Sequence, residues 1–567
     1  MYVRGKKAAP YGVPLCSRQS IFKAQNAHMT NTTDPESSNQ TSSGRTESDR
    51  LLKRGRLKTL VQRPEIGPFG VLILLILALG FFSIPAGVDT WNPFAGEGFN
   101  ALGIRNNTRL IAQLGIIALG AGLLIVAGEF DLSIGSMIGF AGMCMGVMLK
   151  WGFHVNLPWW VNTPEGLTFG WVQVLSIPTV DPWLAVCLTL CFTLFFGWLI
   201  GFIVVRTGLA SFIVSLSFLF FLRGLTEVSY RAFNKAPNQS AGSTQVSDLP
   251  DIKNIIHLPE RGEIELSKAK KLPHEDLMSV YDTMTPDQIV SLTEKITFTN
   301  IRFAETKTQI NETKALESFA RDLKFAEQSG NTTLQETLKT RIENLDIPPV
   351  APKTVTDADI ARAHLESFPT VNPLADFFGG DILERLFDWL YVIGWNVNNY
   401  GNQFAPGLYS AVMIWLIIAA AAYLVLSRTQ AGNWIYSTGG NLEAAKANGV
   451  PTGKVKISLF MFSAFCATIF AACQVFETNA ADAAKGNLKE LEAIAAAVIG
   501  GVGLTGGFGT VFGIVLGAAI FGIAREAFFY IPFVDGSFYR VFLGLVLLTA
   551  ALANENIRNR ITGGISQ

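Results

Sequence analysis

Ten apolar runs, fifteen to twenty-three residues long, constrain this 567-residue chain more than any other feature. They lie near 69–86, 108–127, 134–150, 183–205, 210–227, 407–427, 456–476, 491–505, 509–526 and 538–553. A helix rises about 1.5 Å per residue, so about 20 apolar residues cross a hydrocarbon core of roughly 30 Å. The eighth run is short for a span, and the glycine-rich turn after it is a candidate for membrane depth. Composition agrees, with 49% hydrophobic residues, 41 Phe and only 16% charged residues, against roughly 25% charged in soluble domains. The predicted fold class is an all-α polytopic membrane protein of about ten transmembrane helices with a large, mostly helical external insertion.

Charge placement orients the runs. Lys53, Arg54, Arg56, Lys58 and Arg63 immediately precede the first run and predict a cytoplasmic N-terminus. The stretch Trp151 to Asp181 lacks Lys and Arg, and Trp159, Trp160, Trp171 and Trp183 suit an external interfacial belt. The stretch Ser427 to Val455 carries Arg428, Lys446 and Lys454, and the tail carries Arg558 and Arg560, so both are expected inside. The domains follow: a disordered basic N-terminus at 1–64 (Met29 offers an alternative start), spans one to five at 65–228, an external insertion at 229–406, spans six to ten at 407–555 with a cytoplasmic loop at 428–455, and a cytoplasmic tail at 556–567. Within the insertion, Phe303 to Gln328 and Thr333 to Leu345 read as a helical hairpin turned at Ser329-Gly330-Asn331-Thr332, with Thr332 or Thr333 as cap. Phe377 to Leu390 mixes apolar side chains with Asp381, Glu384, Arg385 and Asp388, as an amphipathic helix on a membrane surface or over the bundle does. A solvated insertion without an essential role remains the alternative.

Several classes are disfavoured. Lys plus Arg equals Asp plus Glu at 45 each, and no basic stripe interleaves with aromatics, so nucleic acid is not an expected partner. Five of six cysteines lie in apolar runs and none shows metal-ligand spacing. All five histidines fall outside the runs, and acidic residues are nearly absent from them. A proton-driven carrier needs titratable groups along its path, so energy is expected from another subunit. Gly449 to Val455 approaches a phosphate loop but is one residue short and has Val where a hydroxyl must reach magnesium. Ser211 and Ser215 sit at helical spacing with no base in any run. Neither a nucleotide site nor an enzyme is expected.

Four segments carry the chemistry. Gly128-Glu129-Phe130-Asp131-Leu132-Ser133-Ile134-Gly135-Ser136 places charge and hydroxyls between two apolar runs, as a polar turn or as a functional element. Thr207 to Leu216 leads into Phe221-Leu222-Arg223-Gly224, where Arg223 is expected to pair with a carboxylate or a backbone carbonyl. Within Ser437 to Val450, Gly439 to Gly449 reads as a short helix: Asn441 caps it, Glu443 sits in its first turn where the helix dipole favours an anion, and Gly449 suits its end. Leu491 to Gly501 continues through Leu504 to Thr510 into Gly513 and Gly517; the last two suit close packing, whereas Gly506 and Gly507 suit a break or hinge.

In this order, these segments resemble the permease subunits of ATP-binding-cassette importers for simple sugars, the ribose and xylose type, over most of residues 65 to 555 apart from the insertion. The resemblance implies a bacterial inner-membrane protein with cytoplasmic termini, forming the path for a small sugar delivered by a periplasmic sugar-binding protein. It implies a second permease copy or paralogue, surrounding lipid, and cytoplasmic ATPase subunits that hold ATP and magnesium, with no cofactor on this chain. Gly439, Gly440, Asn441, Glu443, Ala444, Ala445 and Gly449 would form the loop gripped by the ATPase. Glu129, Asp131, Ser133, Ser136, Arg223, Glu492, Gly506 and Gly507 are candidates for the translocation path or its gates, with Asp131 and Ser133 expected near cytoplasmic helix ends. Gly-Glu-Phe-Asp departs from the usual Gly-Gly-Ile-Asp or Gly-Gly-Val-Asp of that family. Nucleosides or branched amino acids as cargo, a self-contained secondary carrier, and a non-transport scaffold are the rival readings.

Overall fold

The computed structural model describes residues 66–84, 96–163, 166–232, 245–246, 249, 255–258, 262–329, 332–343, 348–366, 368, 373–398, 402–530 and 538–548. The predicted N-terminal region 1–64, the residue Cys16 and the C-terminal tail lie outside these residues.

Five helices open the described chain: α1 (Ile66–Phe82), α2 (Ala101–Val126), α3 (Ile134–Lys150), α4 (Pro182–Thr207) and α5 (Ser211–Ala232). Their ends follow local chemistry. The Asn100 side chain accepts the Gly103 N–H at 2.7 Å and starts α2. Asp181 caps α4 ahead of Pro182, and Gly208 at φ +71° ends it in the left-handed region. Between α3 and α4, where no secondary structure was expected, β1 (Phe153–Thr163) and β2 (Gly166–Ile177) form an antiparallel ribbon with Phe153 opposite Ile177.

The middle of the chain begins with β3 (Gln245–Val246), β4 (Ile255–Leu258) and β5 (Gly262–Glu265). Helices α6 (His274–Asp282), α7 (Pro286–Gln328), α8 (Thr332–Glu343) and α9 (Asp357–Leu365) follow. A capping box between Thr285 and Gln288, with Pro286 at the first position, starts the 43-residue α7 well before the expected Phe303. α8 packs back on α7 as a hairpin, Gln335 donating to the Ala326 carbonyl at 3.2 Å; turn residues 330 and 331 lie outside the described residues. Ile256, Leu258, Ala269, Leu277, Ala358, Ala361 and Leu365 make a small core of their own.

The single amphipathic helix expected over 377–390 is two helices, α10 (Pro373–Gly379) and α11 (Glu384–Val392), parted by β6 (Asp381–Ile382). At the break Leu383 adopts φ +62°, and Gly380 sits where a Cβ would lie 2.4 Å from the Asp376 carbonyl oxygen. Phe378 stacks on Phe476 at 5.9 Å between centroids and joins α10 to the bundle. β7 (Leu408–Tyr409) pairs with β6.

The remaining elements are α12 (Ala411–Arg428), α13 (Gln430–Gly440), α14 (Leu442–Ala447), α15 (Thr452–Thr478), β8 (Ala481–Asp482), α16 (Lys489–Ile499), α17 (Val511–Tyr530) and α18 (Phe538–Leu548). β8 pairs with β3. Among the described residues, five helices are long and apolar enough to cross a membrane: α2, α4, α12, α15 and the first 18 residues of α17. α1, α3 and α18 are shorter apolar helices. The expected eighth span is instead α16, 11 residues and about 16 Å long, bounded by Leu488 at φ +65° and Gly501 at φ +89°.

α2 and α15 form the enclosed centre, while α4 and α12 turn Phe195, Trp198, Phe202, Leu416, Ile417 and Leu424 outward. Such a contiguous apolar exterior is the surface lipid covers. The centre has a two-fold logic. α2 packs on α15, α16 and α17, and α15 packs in turn on α2, α3 and α4. Each central helix is followed by a stretch without α-helix, 127–133 after α2 and 479–488 after α15, the latter holding β8 and a 3-10 turn at Ala483–Gly486, and then by another apolar helix.

Candidate functional site

The connection from α2 to α3 bends back into the protein. α2 ends at Val126, Gly128 adopts φ +83°, and α3 starts only at Ile134. Glu129 pairs with Lys456 near the start of α15. Asp131 lies deeper: its Oδ2 accepts the Ser463 hydroxyl at 2.7 Å, about three turns along α15. Its Oδ1 accepts the Ser133 N–H at 2.9 Å and the Ser133 hydroxyl at 2.5 Å. Ser136 donates to the Ser133 carbonyl at 2.8 Å. The backbone released from helical pairing is satisfied from α5, where Ser211 accepts the Phe130 N–H at 3.0 Å and Ser215 donates to the Phe130 carbonyl at 3.4 Å. Irregular backbone at depth survives only with such partners. Asp131 and Ser133 lie between the end of α2 and the start of α3 and are buried there, Asp131 against the middle of α15 and 4% exposed.

Three backbones meet at the Val126 end of α2. The Gly507 N–H donates to the Val126 carbonyl at 2.7 Å. A Cβ on Gly439 would sit 1.9 Å from that same oxygen, one on Gly506 would sit 2.8 Å from Gly128 Cα, and one on Gly507 would sit 2.7 Å from Gly440 Cα. Gly506 and Gly507 also adopt φ +80° and +75°, where a side chain is strained. Tyr436 of α13 donates to the Gly509 carbonyl at 2.7 Å and fastens the same loop. The end of α13, the α2–α3 connection and the loop 500–510 thus form one glycine junction. α14 projects from it: Asn441 caps the helix by accepting the Ala444 N–H at 3.0 Å, Ala445 is buried, and Glu443, Ala444 and Gly449 are exposed. Gly449 adopts φ +78° beyond its end. Gly513 and Gly517 of α17 lie against the Gly500 and Ala496 carbonyls, a close helix contact that only small residues permit.

Acidic residues, nearly absent from the apolar runs, gather at their edges within the helices. Glu492 of α16 pairs with Lys489 and lies 3.7 Å from Arg525 of α17. Glu490 is buried, packs its Oε2 against Gly135 of α3, and lies within electrostatic reach of Arg223. Glu477 pairs with Arg109 across α15 and α2. These carboxylates cluster beside the 479–488 stretch, with cations facing them, so each interrupts or flanks an apolar run and escapes a reading by runs alone. Glu490, Arg109 and Arg525 were missed; the signal for the first was a carboxylate in the opening turn of a helix. Among the described residues, no three His, Cys, Asp or Glu side chains group as a metal site requires.

The family described as branched-chain amino acid transport system / permease component matches residues 103–257 and 363–551, more than half of the chain. The chain belongs to this permease family. The unmatched stretch 258–362 carries α6 to α8 and the start of α9. The ribose import permease protein RbsC of Haemophilus influenzae is 33% identical over 156 residues, covering 27% of this chain and 48% of that protein. RbsC of Escherichia coli K12 is 31% identical over 165 residues, covering 29% and 50%. The xylose transport system permease protein XylH of E. coli K12 is 35% identical over 126 residues, covering 22% and 31%. The chain spans half or less of the length of these curated relatives. No solved structure matches.

Proposed function

We propose that this chain is the permease subunit of an ATP-binding-cassette importer in a bacterial inner membrane, forming the path for a small sugar, most simply a monosaccharide. A periplasmic binding protein delivers the sugar, and a second permease copy or paralogue completes the path. Cytoplasmic ATPase subunits, holding ATP and magnesium, supply the energy. Both termini and residues 428–455 face the cytoplasm, and residues 229–406 face the periplasm.

The observation that carries this reading is the contact of Gly439 and Gly440 with Val126, Gly128, Gly506 and Gly507. A short exposed helix, α14, is joined through α13 to the α2–α3 connection and to the loop 500–510 between α16 and α17. Such a lever transmits a push from a motor subunit to the path without a flexible step. Asp131, Ser133, Ser136, Arg223 and Glu492, carried by the α2–α3 connection, α3, α5 and α16, are the candidates for lining the route or its gates. The cargo rests on the relatives, which are named for ribose and xylose. A branched amino acid is the second reading, favoured by the description of the family.

A cysteine at Glu443 (Glu443→Cys) tests the lever. In the assembled transporter it should cross-link to a cysteine-bearing cassette ATPase, and the cross-link should abolish uptake. A Glu443→Cys protein that reacts only with reagents outside the cell contradicts the proposal.

A further inference from the structure

Resting on the permease reading above, we infer that Arg109, Gln113, Gln474 and Glu477 form a hydroxyl-recognising station that contacts a small polyol on its way through the bundle. Arg109 and Gln113 are one turn apart on α2, while Gln474 and Glu477 are three residues apart on α15. Four polar side chains of the two central helices therefore face each other. They lie about 20 Å along α2 from the glycine junction, toward the opposite end of the bundle.

Their bonding is incomplete. Arg109 donates to Glu477 Oε1, and Gln113 Nε2 donates to Glu477 Oε2 at 2.9 Å. Gln474 Nε2 reaches Gln113 Oε1 at 3.5 Å, the outer limit of a hydrogen bond. Gln474 Oε1 and Arg109 Nε are buried with no hydrogen-bond partner. An unmet acceptor and an unmet donor left away from water are costly. A hydroxyl donates and accepts through the same atom, so the hydroxyls of a sugar can supply the donor that Gln474 Oε1 lacks and the acceptor that Arg109 Nε lacks.

The charges also select. Arg109 and Glu477 consume each other, and the Arg109 guanidinium lies 5.2 Å from the Tyr409 ring, which the Arg105 guanidinium also covers at 4.1 Å. Arg105 in turn pairs with Asp381 at 2.7 Å. A zwitterionic amino acid would have to separate the Arg109–Glu477 pair to engage either charge. An uncharged polyol leaves it intact.

The test is uptake by the assembled transporter, with its ATPase and one fixed binding protein, of radiolabelled D-ribose, D-xylose and a set of their single-deoxy analogues. Gln474→Leu is compared with wild type by the ratio of each analogue's rate to that of its parent sugar. Because the binding protein is unchanged, a shift in ratio belongs to the permease. Gln474→Leu is expected to erase about a tenfold discrimination against at least one deoxy analogue, the size of one hydrogen bond to a buried group, with ATPase stimulation retained. Identical ratios across the set overturn the station and leave the permease reading standing, whereas L-leucine competing more strongly than the sugars overturns the station and moves the cargo to the branched-amino-acid reading. Absence of sugar uptake by the wild-type assembly overturns the permease reading for sugars and the station with it. Where Gln474→Leu does not fold, Gln474→Met carries the same comparison with nearly the same volume.

Discussion

Glu129 shows what a single residue discloses and what it conceals. The sequence marks it as a carboxylate where the resembling family has a small residue, and placement beside an apolar run makes it costly. Its counter-ion, Lys456, lies 327 positions away, and nothing in the sequence links the two. Both side chains are largely buried. Removing one charge from such a pair strands the other at a cost of about 3–5 kcal/mol, while removing both is far milder. Lys456→Met should therefore lower the thermal midpoint of the purified protein sharply, and Glu129→Gln added to it should recover most of the loss. Equal destabilisation by the single and the double variant would show that the pair is not coupled. Asp131 follows the same rule by another route, since hydroxyl and amide donors rather than a cation compensate its burial.

At the scale of elements, the legible features were those set by neighbours in sequence. Asn441 and Gly449 start and end α14 through their own local chemistry, and these positions were readable. The shortness of the eighth run was readable too, but the break between α10 and α11 was not, because Leu383 takes a left-handed conformation that nothing local requires. The depth of Asp131 was hidden for a similar reason: residues 127–133 look like a surface turn until Ser463 and Ser211 are seen to bond them. The end of α13 gives a sharp prediction from two adjacent glycines. A Cβ on Gly439 meets the Val126 carbonyl at 1.9 Å, whereas one on Gly440 meets nothing nearer than 3.9 Å. Gly439→Ala should cost about 1–3 kcal/mol through overpacking and lose most uptake; Gly440→Ala should retain both. Matching thermal midpoints and matching uptake for the two variants would show that the junction is not as tight as these distances require.

Across the whole molecule, the apolar runs made the helical bundle legible, and every run overlaps a helix among the described residues, although the eighth is helical only as far as Ile499. What counting runs could not supply is which helices lie at the centre, how α2 and α15 alternate in their packing, and that acidic residues sit between them. The middle region has a core of its own around Ile256, Leu277 and Leu365, while its two ends are tied to the bundle, the first by β3 pairing with β8 and the last by Phe378 and Asp381. Replacing residues 262–365 with a short flexible linker should leave folding and most sugar uptake intact, as measured by monodispersity and transport rate. Loss of uptake with a well-folded bundle would place an essential function in that region.

The most direct measurement is sugar accumulation in sealed proteoliposomes containing the permease alone, or the permease with cassette ATPase, binding protein and ATP. Accumulation against a gradient is expected only in the complete assembly and should stop when ATP is withheld. Uphill accumulation by the permease alone, driven by a proton or sodium gradient, would contradict a pathway that takes its energy from a partner.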